Sequence, residues 1–384
     1  MPTVKLGDVV CRVKDKVDKD TTELEYYVGG EHFEYGEICI SQRGLIQGST
    51  IGPAFHMHFV PGDVLLMSRN PHLRKAGMVD FEGICSDVSY VCRTRDERVL
   101  LQRFLPFIFQ TNDFWDFAEA NKKGSTNFFL NWSDFEKYEF DLPSIDSQIA
   151  LTSLFWKIQE TLESEKAALK EAVILRNSLY EETQSKNYFD THSIPYHVGT
   201  VGNEFTVCNN LRKPLSQAVR SEIQGPYEYW GPTGILDHIN EYRLDGEYAL
   251  IGEDGDHFLK YRDWDMTHLI KGKFNVNNHA HVLCADKGNY IKWFYYYFKH
   301  RNIESVLTKQ GGGRLKLTKA TLLTLPIIIP SPEQQALLCQ RYDSMEAAII
   351  ALKERIQRTR DMLRAITENA LAGGTEFVTE EASR

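Results

Sequence analysis

An internal match at an offset of 187 residues is the strongest constraint on what this chain can fold into. Sliding the sequence on itself from Pro143 to Pro330 needs no gap. The same shift pairs Ser144 with Ser331, Asp146 with Glu333, Gln148 with Gln335, Leu130 with Leu317 and Gly124 with Gly311. A match over such long units predicts a tandem duplication and excludes a solenoid of short repeats.

Each unit follows the same order of patterns. Short β-branched and aromatic runs such as VLLM, VSYVC, EYALIG and HAHVLC come first, separated by Gly, Pro, Asn and Asp. These runs predict strands joined by turns. An aromatic amphipathic stretch, a Gly-bearing loop, a last apolar strand, a proline corner and a long helix follow.

The two long helices show apolar residues spaced alternately by three and four positions, a period of about 3.5 that predicts a coiled-coil seam. The seam residues are Ile158, Leu162, Leu169 and Leu179 in the first helix and Met345, Ile349, Leu352, Ile356, Leu363 and Ile366 in the second. Glu165 and Arg176 interrupt the first stripe, and Gly373-Gly374 predicts the end of the second helix. Helices of roughly 35 to 40 residues would be about 50 to 60 Å long.

The pattern P-S-x-[DE]-x-Q occurs at both corners, starting at Pro143 and at Pro330. Proline lacks the N–H that a continuing strand needs but fits a first helical turn. The acidic residue that follows lies where the positive end of the helix dipole favours negative charge. The pattern therefore predicts a sharp change from strand to long helix.

These patterns together predict an α+β chain with a tandem repeat of two mixed α/β domains separated by two long antiparallel coiled-coil helices. The predicted boundaries are 1–146 and 187–331 for the two domains, 147–186 and 332–373 for the helices, and 374–384 for a flexible tail.

Composition narrows the class of protein. The 384 residues are 42% hydrophobic and 25% charged, which is ordinary for a globular protein. The N-terminal residues have no signal-peptide pattern, and the longest apolar runs are too short to span a membrane. We therefore expect a soluble cytoplasmic protein without a membrane partner. Seven scattered cysteines without a C-x-x-C pair predict neither a disulfide framework nor a zinc site.

Three stretches resemble the DNA-specificity subunits of type I restriction-modification systems. They are PIIIPSPEQQALLCQRYDSMEAAIIALKERIQRTRDMLRAITENALAGG at the C-terminus, GDVLLMSRNPHLRKAGMVDFEGICSDVSYVCRTR at residues 62–95, and NKKGSTNFFLNWSDFEKYEFDLPSIDSQ before the first long helix. The resemblance covers nearly the whole chain, although the second domain matches less fully.

The resemblance implies two target-recognition domains that each contact one half of a bipartite, asymmetric target in double-stranded DNA. The helices would set the spacing of the halves and dock two methyltransferase subunits. The chain itself would be non-catalytic and carry no cofactor or metal, because partner subunits transfer methyl groups and cleave DNA. Whether a restriction or translocase subunit also binds stays open.

The candidate DNA contacts are basic and amide side chains in loops, chosen because Arg, Lys and Gln can bind phosphates or base edges. They are Gln42, Arg43, Gln47, Arg69, Arg74, Lys75, Lys122 and Lys123 in the first domain and Lys260, Arg262, Lys271, Lys273, Lys309, Arg314 and Lys316 in the second. For any one of these residues, an ordinary solvated surface charge is the more common role. Arg69 and Arg74 stand out because they flank a proline turn within the resembling stretch.

Three other interpretations compete. Asn70-Pro71-His72-Leu73 only faintly resembles the N-P-P-[YF] signature of adenine methyltransferases, and no glycine-rich cofactor loop follows a strand. A formal charge of −9, with no strongly basic domain, would suit a duplicated scaffold that binds a protein or glycan instead of DNA. A fused enzyme is disfavoured, since neither a cofactor loop nor nuclease carboxylates are present.

Overall fold

The computed structural model describes residues 1–309 and 314–371. These residues form two units, the first consisting of residues 1–165 with 354–371 and the second of residues 166–353. Each unit therefore includes one part of each long helix. Gly311, the predicted helix stop at Gly373-Gly374 and the predicted tail 374–384 lie outside the described residues. None of the described helices is long and apolar enough to cross a membrane.

Unit 1 is a mixed domain of short strands and short helices that precedes the first long helix. Its strands are β1 (Thr3–Lys5), β2 (Val10–Val13), β3 (Tyr26–Val28), β4 (Gly44–Leu45), β5 (Phe55–Phe59), β6 (Val64–Met67), β7 (Ala76–Met78), β8 (Gly83–Ser86), β9 (Ser89–Thr94) and β10 (Glu139–Asp141). Its helices are α1 (Leu6–Val9), α2 (Leu105–Ile108), α3 (Asn112–Ala120), α4 (Trp132–Phe135) and the start of α5 (Ile145–Thr183).

Two four-stranded sheets, with orders β2-β9-β6-β7 and β4-β3-β8-β5, form the body of unit 1. The apolar run VLLM is β6, as predicted, and all four of its residues are buried. Val64 and Leu66 pack in the core that contains Phe114, whereas Leu65 packs in the core that contains Phe59. Because successive strand residues point to opposite faces, a strand between two cores must be apolar throughout.

Unit 2 has a larger sheet. Its strands are β11 (Tyr196–Thr200), β12 (Thr206–Val207), β13 (Gln224–Trp230), β14 (Ile235–Ile239), β15 (Leu244–Gly252), β16 (Thr267–Val276), β17 (Ala280–Cys284), β18 (Thr308–Lys309), β19 (Leu315–Lys316) and β20 (Pro326–Pro330). Its helices are α6 (Lys186–Thr191), α7 (Val201–Glu204), α8 (Gln217–Glu222), α9 (Ile291–Lys299), α10 (Lys319–Thr324) and the start of α11 (Pro332–Leu371).

The six-stranded sheet of unit 2 has the order β12-β17-β15-β16-β13-β14. The runs EYALIG and HAHVLC lie in β15 and β17, as predicted, and pair antiparallel. Ala249 and Ile251 of β15 face the core that contains Trp293, whereas Leu250 faces the core that contains Phe274. The aromatic run WFYYYF forms helix α9, and the Trp293 indole donates to the Ile328 carbonyl at 2.9 Å. The buried Trp293 side chain therefore connects helix α9 to strand β20.

The two proline corners have the same construction. The β1–β10 ladder ends at Asp141, two residues before Pro143, and the β11–β20 ladder ends at Pro330. Each long helix begins two residues after its proline. Gln148 and Gln335 are both fully buried, and each donates its amide to the corner proline carbonyl at 2.9 Å. The glutamine of the sequence pattern therefore fastens the first turn of the helix to the domain behind it.

The first residues of the two long helices lie within two positions of the predicted ones. Helix α5 runs from Ile145 to Thr183 and α11 from Pro332 to Leu371, against predicted ranges of 147–186 and 332–373. Helix α5 ends before residue 186 because the Ser185 hydroxyl accepts from the Tyr188 N–H and caps the next helix.

All ten predicted seam residues are buried or half-buried. Leu162 and Ile349 are each 2% exposed, while Leu169 and Met345 are among the half-buried ones. The polar interruptions are buried as well, Glu165 at 6% and Arg176 at 7%. Glu165 accepts from Arg355 Nε at 2.5 Å, and Arg176 donates to Asn177 and to the carbonyl of Arg262. The interruptions are therefore buried polar contacts along the stripe.

Candidate nucleic-acid interface

Two loops that are distant in the sequence meet in unit 1. Phe129 forms antiparallel backbone bridges with both Arg69 and Lys123. Its N–H donates to the Lys123 carbonyl at 2.9 Å, and the Lys123 N–H donates back at 2.8 Å. The Asn70 N–H donates to the Phe128 carbonyl at 2.9 Å. The backbone thus brings the Arg69 loop and the Lys122-Lys123 loop side by side, which their separation in the sequence did not reveal.

The Arg69 loop contains an unusual turn. A short 3₁₀ segment, Pro71–Leu73, is flanked by Asn70 with φ 51° and Arg74 with φ 48°. Both values lie in the left-handed region, which Asn tolerates well and Arg adopts rarely. Such a conformation persists only where surrounding contacts hold it.

The three basic residues of this loop have different surroundings. Arg69 is exposed, and its side chain makes no hydrogen bond or ion pair with any part of the chain that the structure describes. Arg74 Nη1 donates to Asn112 Oδ1 at 2.7 Å, and Lys75 Nζ donates to the Gly30 carbonyl at 2.5 Å. Arg69 therefore has its donors available, whereas Arg74 bonds Asn112 and Lys75 bonds the Gly30 carbonyl.

Lys122 and Lys123 are paired with acids at the surface. Lys122 Nζ lies 2.6 Å from Glu119 and 4.3 Å from the centre of the Phe128 ring. Lys123 Nζ lies 2.6 Å from Asp134, and its hydrogen bond lowers the pKa of that carboxyl. Lys123 is exposed and Asp134 also pairs with Lys137 at 3.4 Å, so Lys123 can leave this carboxylate for a phosphate while the acid keeps a partner.

The glycine-rich loop around residues 41–50 has its own contacts. Gln42 Nε2 donates to Glu34 at 2.5 Å, and Arg43 lies over the Tyr26 and Phe81 rings at 4.2 and 4.6 Å. Gln42, Arg43 and Gln47 are all exposed. Their contacts are separate from those of the Arg69 loop.

In unit 2, three predicted residues lie on the β18–β19 hairpin. Arg314 lies 2.6 Å from Asp254 and Lys316 lies 3.3 Å from Glu253. Burial alone would raise the pKa of Glu253, but hydrogen bonds from Arg212 and Lys316 hold it below its ordinary value. Lys309, on the facing strand, is exposed. The hairpin is thus fixed to the sheet by ion pairs.

Lys271 and Lys273 lie on β16 with both side chains exposed. Their cross-strand neighbours on β15 are Glu247 and Asp245. Lys273 Nζ lies 4.7 Å from the centre of the Tyr242 ring, and a hydrogen bond with the Tyr242 hydroxyl raises the pKa of this lysine. Both ammonium groups are accessible.

Lys260 and Arg262 lie beside helix α5. Lys260 Nζ is 4.8 Å from the centre of the Trp264 ring, and Arg262 is 3.8 Å from Glu181. Arg176 donates to the Arg262 carbonyl at 3.1 Å. The contacts of this pair are thus with Trp264 and helix α5, whereas Lys271 and Lys273 face β15.

Asn112 bonds three residues from distant parts of the sequence, and the sequence analysis did not identify it. Its amide oxygen accepts from Arg74, 38 residues away, and from Arg364, 252 residues away. Its own N–H donates to Glu368 at 2.7 Å. No local pattern marks such a residue, because all three partners come from other parts of the chain.

Comparison with known proteins gives a family for part of the chain. The family model for the type I restriction modification DNA specificity domain matches residues 195–359. A putative type I restriction enzyme specificity subunit of Haemophilus influenzae is 33% identical over 141 residues, 37% of this chain and 35% of that protein. The EcoprrI specificity subunit of Escherichia coli is 27% identical over 34% of this chain and 31% of its own length. The matched segments thus span about a third of each curated relative.

Solved structures share the fold over nearly the full length. The type I restriction-modification S subunit from M. genitalium superposes with a TM-score of 0.61, at 13% identity, over 96% of both chains. A chain from a study of complex assembly and conformational transition of the type I R-M system gives 0.60 at 17% identity, over 97% of this chain and 98% of that one. Residues 195–359 thus match the type I restriction modification DNA specificity domain, and the fold over nearly the whole chain resembles that of a solved type I restriction-modification S subunit.

Proposed function

We propose that this chain recognises a bipartite, asymmetric DNA sequence, with each of its two recognition domains contacting one half. The chain takes no part in the chemistry itself, since methyl transfer and cleavage are carried out by partner subunits in the cytoplasm. Two methyltransferase subunits dock on the outward faces of the long helices, and a restriction or translocase subunit is a further partner.

The observation that carries the proposal is the corner that occurs twice. Gln148 and Gln335 are the same residue at matched positions, both fully buried and both bonded to a corner proline carbonyl at 2.9 Å. In each case a β-ladder precedes the corner and a helix of about 40 residues follows it. This supports a tandem duplication in which two similar domains are each rigidly joined to a long helix.

Contacts within each unit support antiparallel pairing of α5 with α11. In unit 1, Glu165 bonds Arg355. In unit 2, the Tyr180 hydroxyl donates to Glu346 at 3.1 Å, and Thr183 bonds the Tyr342 hydroxyl. Within unit 2, the residue number rises along α5 as it falls along α11. A helix of 39 residues is about 58 Å long, which exceeds the 34 to 36 Å of one turn of B-DNA, and we propose that the two helices set the spacing of the half-sites.

Arg69 is the residue we assign to base contact in the first domain. It is exposed, has no partner among the described residues and lies where two basic loops meet. A guanidinium with free donors can bind O6 and N7 of guanine together. Lys123 beside it suits a phosphate contact, and Lys271, Lys273 and Lys309 are the accessible cations for the second domain.

The test is to map methylated adenines in DNA from cells that express this chain with its methyltransferase. Arg69→Ala should relax or weaken recognition of one half of the target by about tenfold, the loss expected for one bidentate base contact, and leave the other half unchanged. Arg98→Ala is the matched control, because Arg98 is 90% exposed and its side chain pairs only with Asp96 within the described ranges.

Equal loss in both halves would exclude this role for Arg69. Gel shifts with and without the methyltransferase test DNA binding itself. A chain that shifts no duplex in either state would instead be a duplicated scaffold for a protein or glycan, as the overall charge of −9 would suit.

A further inference from the structure

A cavity of about 280 Å³ lies in unit 1 against the C-terminal part of α11. Its apolar wall includes Ile38, Phe107 and Leu363, which are buried in the core of the unit. Its polar wall includes Arg74 from the turn described above and Arg364 from the helix. A small cavity with an apolar floor and convergent polar groups is the usual form of a ligand site.

Arg74 and Arg364 converge on a single neutral acceptor. Both donate to Asn112 Oδ1, Arg74 at 2.7 Å. Neither guanidinium has a carboxylate within 4 Å in the described parts of the chain. Two guanidinium groups that donate to one acceptor repel each other, and an anion bound between them would relieve that repulsion. No carboxylate of the described residues provides that anion by direct pairing.

The nearby carboxylates have other roles. Glu37 is 6% exposed and binds Arg360, also in the cavity wall, at 2.6 Å. Glu368 accepts the first backbone N–H of α3, where the helix leaves a donor unsatisfied. Asp361 lies at the cavity wall and accepts from Gln357 at 3.0 Å. None of these acids is an ion-pair partner of Arg74 or Arg364.

We propose that the Arg74–Asn112–Arg364 cluster binds a phosphoryl group. Arginine suits this ligand, because its planar fork of donors matches the oxygens of a phosphate. The group belongs either to the backbone of DNA, in which case the inference rests on the proposed function, or to a small phosphate-bearing molecule. Arg74 then supplies affinity that does not depend on base sequence.

The site belongs to unit 1 alone. At the offset of 187 residues, Arg364 corresponds to Asn177 and Arg360 to Val173. The first corner, at Pro143, therefore has the same glutamine fastening, but its helix α5 has no arginine at either of these two positions. A structural requirement common to both corners does not explain the arginines.

The first experiment measures DNA binding by the full chain, with its co-expressed methyltransferase, over a series of salt concentrations. Arg74→Gln and Arg364→Gln should each weaken binding to target and scrambled duplexes by the same factor, about tenfold for one charge-assisted hydrogen bond. The slope of log affinity against log salt should fall by about 1 for the lost phosphate contact. Arg98→Gln removes the same charge at an exposed site and should change neither quantity.

The second experiment measures thermal unfolding of the full chain in inorganic phosphate and in sodium chloride at equal ionic strength. Phosphate should raise the unfolding temperature of the wild type and of Arg98→Gln more than that of Arg74→Gln or Arg364→Gln. The unfolding temperature in chloride shows whether each variant is folded. If Arg74→Gln or Arg364→Gln is not folded, the other of these two variants provides the test.

The outcomes separate the two sources. Losses in both experiments assign the site to DNA phosphates. Phosphate stabilisation that is lost in the variants, without any change in DNA binding, assigns the site to a small phosphate-bearing molecule. A wild type that binds no DNA yet shows the phosphate effect would overturn the proposed function and keep this site. Variants that match Arg98→Gln in both experiments would overturn the inference.

Discussion

Replacement of Gln335 by leucine is the sharpest test of how the domains are joined to the helices. The side chain is fully buried and makes three hydrogen bonds. Its amide donates to the Pro330 carbonyl at 2.9 Å and to Asn289 Oδ1 at 2.8 Å, and its oxygen accepts from the Tyr290 N–H at 3.0 Å. Leucine has nearly the same volume but leaves all three partners without a bond.

Each buried polar group left without a hydrogen bond costs about 1 to 3 kcal/mol. Because the three partners of Gln335 are close together, their costs do not simply add, and we expect the free energy of unfolding to fall by about 3 to 5 kcal/mol. For a unit of this size the unfolding temperature should fall by roughly 10 °C. Hydrogen exchange gives a local measurement, since the Tyr290 amide should lose its protection. Gln340→Leu, at an exposed position of the same helix, is the control and should change stability by less than about 0.5 kcal/mol.

Gln148 provides an independent copy of the same test in unit 1. It donates to the Val99 and Pro143 carbonyls at 2.8 and 2.9 Å and accepts from the Leu101 N–H at 2.9 Å. Gln148→Leu should therefore destabilise unit 1 by a similar amount. If either variant unfolded within about 1 kcal/mol of the wild type, with unchanged amide protection at residue 290 or 101, the corner glutamine would not be the fastening described here.

Two further predictions concern charged groups. Arg355→Ala leaves Glu165 buried without this partner and should lower the free energy of unfolding by about 1 to 2 kcal/mol, a modest loss because Arg355 is itself 62% exposed. Replacement of both residues by leucine should recover most of this loss. A double variant as unstable as the single one would contradict this explanation. Burial alone would lower the pKa of His58, but its hydrogen bonds with Asp15 and Glu82, both 2.8 Å, raise it above 6.5. The stabilisation from a raised pKa is complete below the unfolded value and is lost as pH rises through the folded one. Urea unfolding should therefore show the advantage of wild type over His58→Gln shrinking as the pH is raised from below 6.5 to well above it. A constant difference across that range would show that His58 does not carry this charge.

The sequence alone was sufficient to predict the local features. Strands β6, β15 and β17, both proline corners and the starts of both long helices follow from periodicity, proline chemistry and the internal match. Burial of the ten seam residues also agrees with the spacing, because a helix presents positions three and four apart on one face. These are short-range properties that residues and their near neighbours determine.

Tertiary structure decided the roles of the basic residues. Arg69 and Arg74 look equivalent in the sequence, yet Arg69 is exposed without a partner among the described residues, while Arg74 turns into a cavity to meet Asn112 and α11. Lys123 joins Arg69 through Phe129. Whether a charge is free, paired or stranded depends on groups tens to hundreds of residues away. Spacing along the chain carries no information about such contacts, because the packing of the whole unit creates them.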